Sequence, residues 1–444
     1  MKSSEFGQAW KRGDIFTKLS YVIFGLGNLV RKQIVKGLLF LACEVGIITY
    51  FVTTGSTYLV KFGTLGTVKQ GRVKVDGFWE YTAGDNSVVI LLYGVMAIFA
   101  LILLVLLSLL SARSSYKAQR DVAERGRATT IVEDWHDIFD TRAHIGLMSL
   151  PVLGIVVFSV LPLVFMISMA FTNYDKNHAV LFDWVGLKNF GVFFGQGGSE
   201  VTAGMFLDVL VWTLVWAFFA TFLNFFLGMF MAMIIDRKTT KFKGLWRAMF
   251  SMSIAIPQFV SLLVMKSMLR QGGAINRLLL DAGLIHQALP FLTDTTWARV
   301  TVIVINLWVG IPYTIMQITG VLQNVPAELY EAAELDGANW WQRYVNVTLP
   351  YIFFVMTPYL ITTFTGNVNN FNVIYLLTGG APTPVGASAG KTDLLITWLY
   401  KLTVDKNNYN LGAVIGIMTF IVLAVVSLIT YRSSGSYKNE ERFL

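Results

Sequence analysis

Cysteine occurs once in this chain, at Cys43, so neither an internal disulfide nor a cysteine-based metal cluster can form. Histidine is nearly as scarce. His136, His144, His178 and His286 are the full set, and none has a paired ligand spacing such as H-x-x-x-H, which argues against a metal site. Charge is short too. Only 14% of the 444 residues are charged, against roughly a quarter in soluble proteins. Most of the surface therefore faces something other than water. A nucleotide motif is also missing. GASAGKT (386–392) comes near a phosphate-binding loop, but that motif needs a glycine where Val385 stands. Nothing resembles a Ser/His/Asp triad or a pair of catalytic carboxylates. The chain thus reads as a protein that is not an enzyme and has no cofactor of its own.

What is present is hydrophobic. Hydrophobic residues make up 55% of the chain, and the mean hydropathy is +0.59. A membrane span needs about 20 mostly apolar residues. Eight stretches meet that expectation: 34–53, 88–110, 145–171, 209–235, 248–265, 300–322, 351–378 and 411–431. The second, VVILLYGVMAIFALILLVLLSLL, carries no charge at all. The fold expected is an all-α polytopic membrane protein with about eight transmembrane helices. The stretch from Phe16 to Val30 contains Lys18 and lacks a small-residue cleavage site. It reads as an amphipathic helix on the cytoplasmic face of the membrane.

Charge placement orients the spans. With the N-terminus inside, the cytoplasmic pieces hold 22 Lys and Arg and the outer loops 11, with Lys266 and Arg299 at span edges completing the 35. Such a bias follows the positive-inside rule, so both termini are expected in the cytoplasm. It also explains the net charge of +8 without a nucleic-acid partner. Residues 1–144 read as an N-terminal unit: the amphipathic segment, two spans and a basic linker (111–144). Residues 145–431 read as a six-span core, and 432–444 as a cytoplasmic tail. Pro151, Pro162, Pro257, Pro312 and Pro358 fall inside spans. Each removes a backbone donor, so these helices are expected to bend around a protein-lined or wet cavity.

The loop NVPAELYEAAELDGANWWQRYVNVTLP (324–350) is unlike the others, with Arg343 its only basic residue. Pro326, Glu328 and Glu331 suit the start of a helix. Gly337 suits a left-handed end to it. Asn339 with Gln342 reads as a capping box for a second short helix ending near Pro350. From these residues alone the loop is a structured cytoplasmic helix–turn–helix. Its residues Glu331, Ala332, Ala333, Asp336, Gly337 and Ala338, then Leu349 and Pro350, resemble the signature of binding-protein-dependent ABC importer permeases. The resemblance implies a type I importer permease core. It also implies that this loop is the coupling helix, seated in a groove of a separate ATPase dimer that binds and hydrolyses ATP.

Other segments carry the resemblance along almost the whole chain. FTNYD (171–175), WVGLKNF (184–190), Asn306 to Tyr313 and FNVIYLLTGGAP (371–382) are similar to the larger permease subunit of maltose and maltodextrin importers. SYVIFGLGNLVRKQIVKGLLFL (20–41) is similar to the Gram-positive form of that subunit. The implied partners are a second, smaller permease, an extracellular sugar-binding lipoprotein and a sugar, most directly maltose or a malto-oligosaccharide. The outer loop 172–208 is too short for the large periplasmic domain of the Gram-negative form. The binding protein is therefore expected to dock on short loops.

Polar groups inside spans point to function. Span seven holds TTFTGNVNNFN (362–372), which places Asn367, Asn369, Asn370 and Asn372 at mid-membrane depth. Asn367 and Asn370 are three apart and would share a helix face, and Gly366 offers a place to unwind. Amides donate and accept, which suits sugar hydroxyls better than ions. Interhelical hydrogen bonding is the alternative use of the same residues. By resemblance, the sugar site comprises Gln258, Gly310, Tyr313, Thr363, Gly366, Asn367 and Asn370. Gln258 replaces a smaller hydroxyl residue of that family, Gly366 an aromatic one, and Ile254 stands where an aromatic is frequent. Trp308 and Tyr313 are further platforms for a sugar ring. Glu44, an acid inside span one, is expected to pair with a neighbouring polar group. A stand-alone secondary carrier, or a permease for another di- or oligosaccharide, is the alternative function.

Overall fold

The computed structural model describes residues 5–433 apart from 76–77, 142, 197, 199 and 238. Of the expected cytoplasmic tail, residues 434–444 lie outside the described residues. Six helices are long and apolar enough to cross a membrane: Ile34–Phe62, Ser87–Arg125, Ala143–Met169, Ala203–Asp236, Thr295–Gln323 and Trp340–Leu377. They coincide with six of the eight expected spans. The expected fifth span is instead a pair of helices, Lys243–Ala255 and Gln258–Leu269, bent by 87°. Pro257 sits at the break, where it lacks an amide and disfavours helix in Ile256. The expected eighth lies in Tyr409–Ser433, a helix of 25 residues.

The other prolines do not break their helices. Pro312 and Pro358 stay inside unbroken helices. Pro162 follows a single wide turn, Val156–Val160, where the Leu161 amide reaches back to the Val156 carbonyl. A π turn widens the ladder where the proline ring would strike it.

Contacts divide the chain into two compact units, Met1–Asn189 and Phe190–Leu444. In the first, the stretch from Phe16 to Val30 is not one amphipathic helix. Three short helices run through this region, Glu5–Arg12, Ile15–Leu19 and Leu26–Val30, and the last two cover that stretch. Gly25 at φ +78° makes the turn before the third. The segment packs against the inner part of Ser87–Arg125, a helix of 39 residues. Gly25 N–H donates to Ser111 Oγ at 2.7 Å, Arg31 Nη1 to Ser115 Oγ at 2.9 Å, and Thr17 Oγ1 to Gln119 Oε1 at 3.0 Å. Glu44 is buried and accepts the Phe24 N–H at 2.7 Å. The acid in span one thus fastens the segment, as its expected pairing requires. Ile15, Val22 and Ile23 remain exposed on the segment, where a membrane interface would cover them.

Between the first two spans lies an antiparallel hairpin, Gly71–Val75 with Phe78–Thr82, the one sheet among the described residues. Asp85 anchors this loop. Its carboxylate accepts from Lys61 Nζ at 2.7 Å and from the Thr67 and Val68 amides at 2.9 and 3.0 Å. Those bonds, the one from Lys61 foremost, hold its pKa down at about 2, against an ordinary 3.8. A carboxyl depressed by folding adds stability above its unfolded pKa and loses it as pH falls through the folded value. The loop is therefore expected to resist limited proteolysis down to pH 4 and to open between about pH 4 and 2. Asp85→Asn should open it at neutral pH.

Candidate functional site

In the second unit the spans Ala203–Asp236 and Thr295–Gln323 lie side by side because small residues let them. A Cβ at Gly228 would lie 2.6 Å from Thr314, and one at Gly310 would lie 2.5 Å from the Asn224 amide. Near the middle of both helices this contact opens into a cavity of about 190 Å³. Its polar lining is Thr221 and Asn224 from span four, Gln258 from the bent pair, Asn306, Tyr313 and Thr314 from span six, and Tyr359, Thr363, Asn367 and Asn370 from span seven. No charged residue lines it.

Of the seven residues singled out by resemblance, Gln258, Gly310, Tyr313, Thr363, Asn367 and Asn370 meet at this cavity. Gly366 does not line it, and a Cβ there would meet nothing. Trp308 is 50% exposed and also stands apart. Thr221, Asn224, Asn306, Thr314 and Tyr359 complete the polar wall without having been singled out as site residues. Asn224 and Asn306 carried the same signal as the span-seven amides, a carboxamide inside an apolar run.

The backbone places these groups. Helix Leu349–Val368 ends between Asn367 and Asn370 instead of unwinding at Gly366. Asn370 starts the next helix, Phe371–Leu377, and its side chain accepts the Val373 N–H at 3.3 Å. Asn367 and Asn370 therefore lie on either side of a break and not on one helical face. Their side chains still meet, Asn370 Nδ2 donating to Asn367 Oδ1 at 3.4 Å. Asn367 Nδ2 donates to Thr221 Oγ1 at 3.0 Å, and the fully buried Trp216 donates to the Asn367 carbonyl at 3.1 Å. The Pro257 break sets Gln258 as the first residue of its helix. Its Oε1 accepts from Asn372 Nδ2 at 3.4 Å. Asn369 is turned out, donating to the Thr365 carbonyl.

A larger cavity, about 410 Å³, lies at the end of the same helices assigned to the outside. Trp212, Asp208, Arg299 and Lys391 line it, with Arg299 over the Trp212 ring at 4.4 Å. It borders the GASAGKT loop. No nest of free amides forms there, because the Gly390 N–H donates to the Asp393 carboxylate at 2.7 Å and the Lys391 and Thr392 amides donate to carbonyls of Pro382 and Gly380. The phosphate-loop likeness is one of letters only.

On the opposite, cytoplasmic side, Ala327–Leu335 is a helix ended by Gly337 at φ +73°. The Ala338 N–H reaches back to the Ala333 carbonyl at 2.9 Å, the bond that closes a Schellman cap. Asn339 and Gln342 form the expected reciprocal capping box, at 2.9 and 2.8 Å. The second helix does not stop at Pro350. It passes through a π turn, Tyr344–Thr348, into span seven. Tyr330 Oη lies 2.9 Å from Thr348 Oγ1, and Arg343 pairs with Glu334 at 3.3 Å, so the loop is braced against the foot of that span. Glu331, Ala332, Asp336, Gly337 and Pro350 are exposed, while Ala333, Ala338 and Leu349 are half-buried. Leu335 is 90% exposed, and Trp340 and Trp341 of the same loop are exposed as well.

Residues 224–435 match the family described as binding-protein-dependent transport system inner membrane component. The galactooligosaccharides transport system permease protein GanP of Bacillus subtilis is 34% identical over 94% of this chain and 97% of its own length. The chain belongs to this permease family. The permease is also similar to the maltodextrin transport system permease protein MdxF of Bacillus subtilis, 33% identical over 95% of both chains. A solved bacterial ABC transporter involved in alginate import shares the fold of the permease, with TM-score 0.54 and 20% identity over 68% of this chain and 97% of that one. The permease is a multi-pass protein of the inner membrane.

Proposed function

We propose that this permease conducts a neutral oligosaccharide of the malto- or galacto- series through the cavity between spans four, six and seven. The carrying observation is a mid-helix cavity lined by amides and hydroxyls and by no ionised group. Amides satisfy sugar hydroxyls as both donors and acceptors, whereas an ion path would hold Asp, Glu, His or Lys. At about 190 Å³ the cavity is smaller than the roughly 300–1,000 Å³ of a ligand site. A second permease subunit would supply the other wall. The 327–348 loop would transmit closure of a separate ATPase dimer, and an external sugar-binding lipoprotein would deliver the cargo. The relatives named for maltodextrin and galactooligosaccharide transport support a sugar cargo without choosing between the two series.

The test is reconstitution with the partner permease, the ATPase and the cognate binding protein. Uptake of maltotetraose and of a galactotriose should require ATP, and one should compete out the other. Saccharide uptake by this chain alone, without ATPase, would refute the reading and favour a secondary carrier. Asn367→Ala and Asn370→Ala are each expected to lower uptake about three- to tenfold, the effect of one lost hydrogen bond, with membrane abundance unchanged. Unaltered uptake in both variants returns the asparagines to helix packing.

A further inference from the structure

We infer that Asn224, a residue of span four outside the set indicated by resemblance, is a specificity-determining residue that accepts a hydrogen bond from a cargo hydroxyl. The inference rests on the saccharide reading above. Asn224 is 6% exposed and lines the cavity beside Gly310. Its Nδ2 donates to the Ala220 carbonyl, one turn back, at 2.6 Å. That bond fixes the amide and leaves Oδ1 on its other side. Oδ1 is buried and has no hydrogen-bond partner among the described residues. Native structures rarely leave a buried acceptor unmet, and each instance calls for an explanation.

Two neighbouring donors are committed elsewhere. Thr314 Oγ1 donates to the Gly310 carbonyl at 3.3 Å, and Asn367 Nδ2 to Thr221 Oγ1 at 3.0 Å. Gly310 packs directly against this amide, and a Cβ there would sit 2.5 Å from it. The group that fits an unpaired, uncharged acceptor in this wall is an O–H donor brought by the cargo. Saccharides carry such donors densely, and a site built to bond one hydroxyl rejects the analogue that lacks it.

The experiment measures uptake by the reconstituted transporter with wild type, Asn224→Leu and Asn224→Ala, over a panel of monodeoxy cargoes. Asn224→Leu should raise the KM for intact cargo about tenfold without loss from the membrane. One deoxy cargo should lose about tenfold in wild type and nothing further in either variant. Asn224→Ala covers the case in which the leucine variant fails to fold. Unchanged KM in a transporting variant, or every deoxy cargo losing the same factor in all three chains, overturns the inference alone. Uptake of no saccharide by wild type overturns the saccharide reading and the inference with it.

Discussion

Exchanging Glu331 for alanine and Gly337 for aspartate in one chain is expected to cut both transport and binding-protein-stimulated ATP hydrolysis at least tenfold, about 1.4 kcal/mol in coupling. The protein should still reach the membrane in normal amount. Both sites point away from the permease itself. Glu331 is exposed and makes no ion pair among the described residues. A Cβ at Gly337 would meet nothing in this chain. An aspartate there tolerates the left-handed backbone better than most residues, so the turn persists. The new carboxylate instead enters the space in front of the loop, next to Asp336. Leu335, Trp340 and Trp341 already expose apolar surface there, which in a monomer marks a docking face. The variant pair is therefore expected to harm the proposed ATPase contact and to spare the fold. Intact hydrolysis and transport would refute the coupling role. Intact hydrolysis with lost transport would place the defect in the sugar path.

This loop was legible from its letters because every instruction in it is local. Asn339 and Gln342 are three apart, and Gly337 ends the helix that Glu328 and Glu331 begin. The spans were legible for a related reason, since lipid demands long apolar runs whatever their neighbours. Failures came where neighbours decide. Residues 248–265 read as one short span by hydropathy, but Pro257 turns the backbone by 87°. The N-terminal segment has an amphipathic composition, yet Ser111, Ser115 and Gln119, some 80 to 100 residues away, fold it into three pieces. The hairpin at 71–82 is held by its own ladder and by an adjoining loop anchored on Asp85.

The cavity was half legible. Four asparagines crowded into span seven draw attention to it, and two of them line the wall. Asn224 stands alone in an apolar helix, and the room for its amide depends on Gly310, a residue 86 positions later where a Cβ would collide with it. A lone amide gives the same signal as the cluster, at lower volume. The break after Val368 was unreadable, because Gly366 is the residue that invites unwinding while Asn370 makes it, by capping the next helix.

Replacing Asp393 by alanine should lower the amount of folded permease more than any substitution in the cavity. Asp393 is fully buried in the loop that follows span seven. One carboxylate oxygen accepts from Lys401 Nζ and from the Gly390 N–H, both at 2.7 Å. The other accepts from Thr397 Oγ1 at 2.9 Å. Lys401 itself is only 17% exposed, so truncating the aspartate strands an ammonium with little water. Breaking a buried pair from one side costs about 3–5 kcal/mol, whereas replacing both partners by apolar groups is often near neutral. The order of effects follows. Asp393→Ala should sharply reduce membrane abundance and the thermal midpoint of the purified complex. Adding Lys401→Met to the same chain should restore much of both, because the stranded charge is gone. A single variant as stable as wild type would show that Lys401 reaches water unaided. A double variant no better than the single would shift the role from the ion pair to the Gly390 and Thr397 hydrogen bonds, which organise the loop below the larger cavity. Uptake per folded molecule should differ little between wild type and the double variant, since neither side chain belongs to the amide-lined wall.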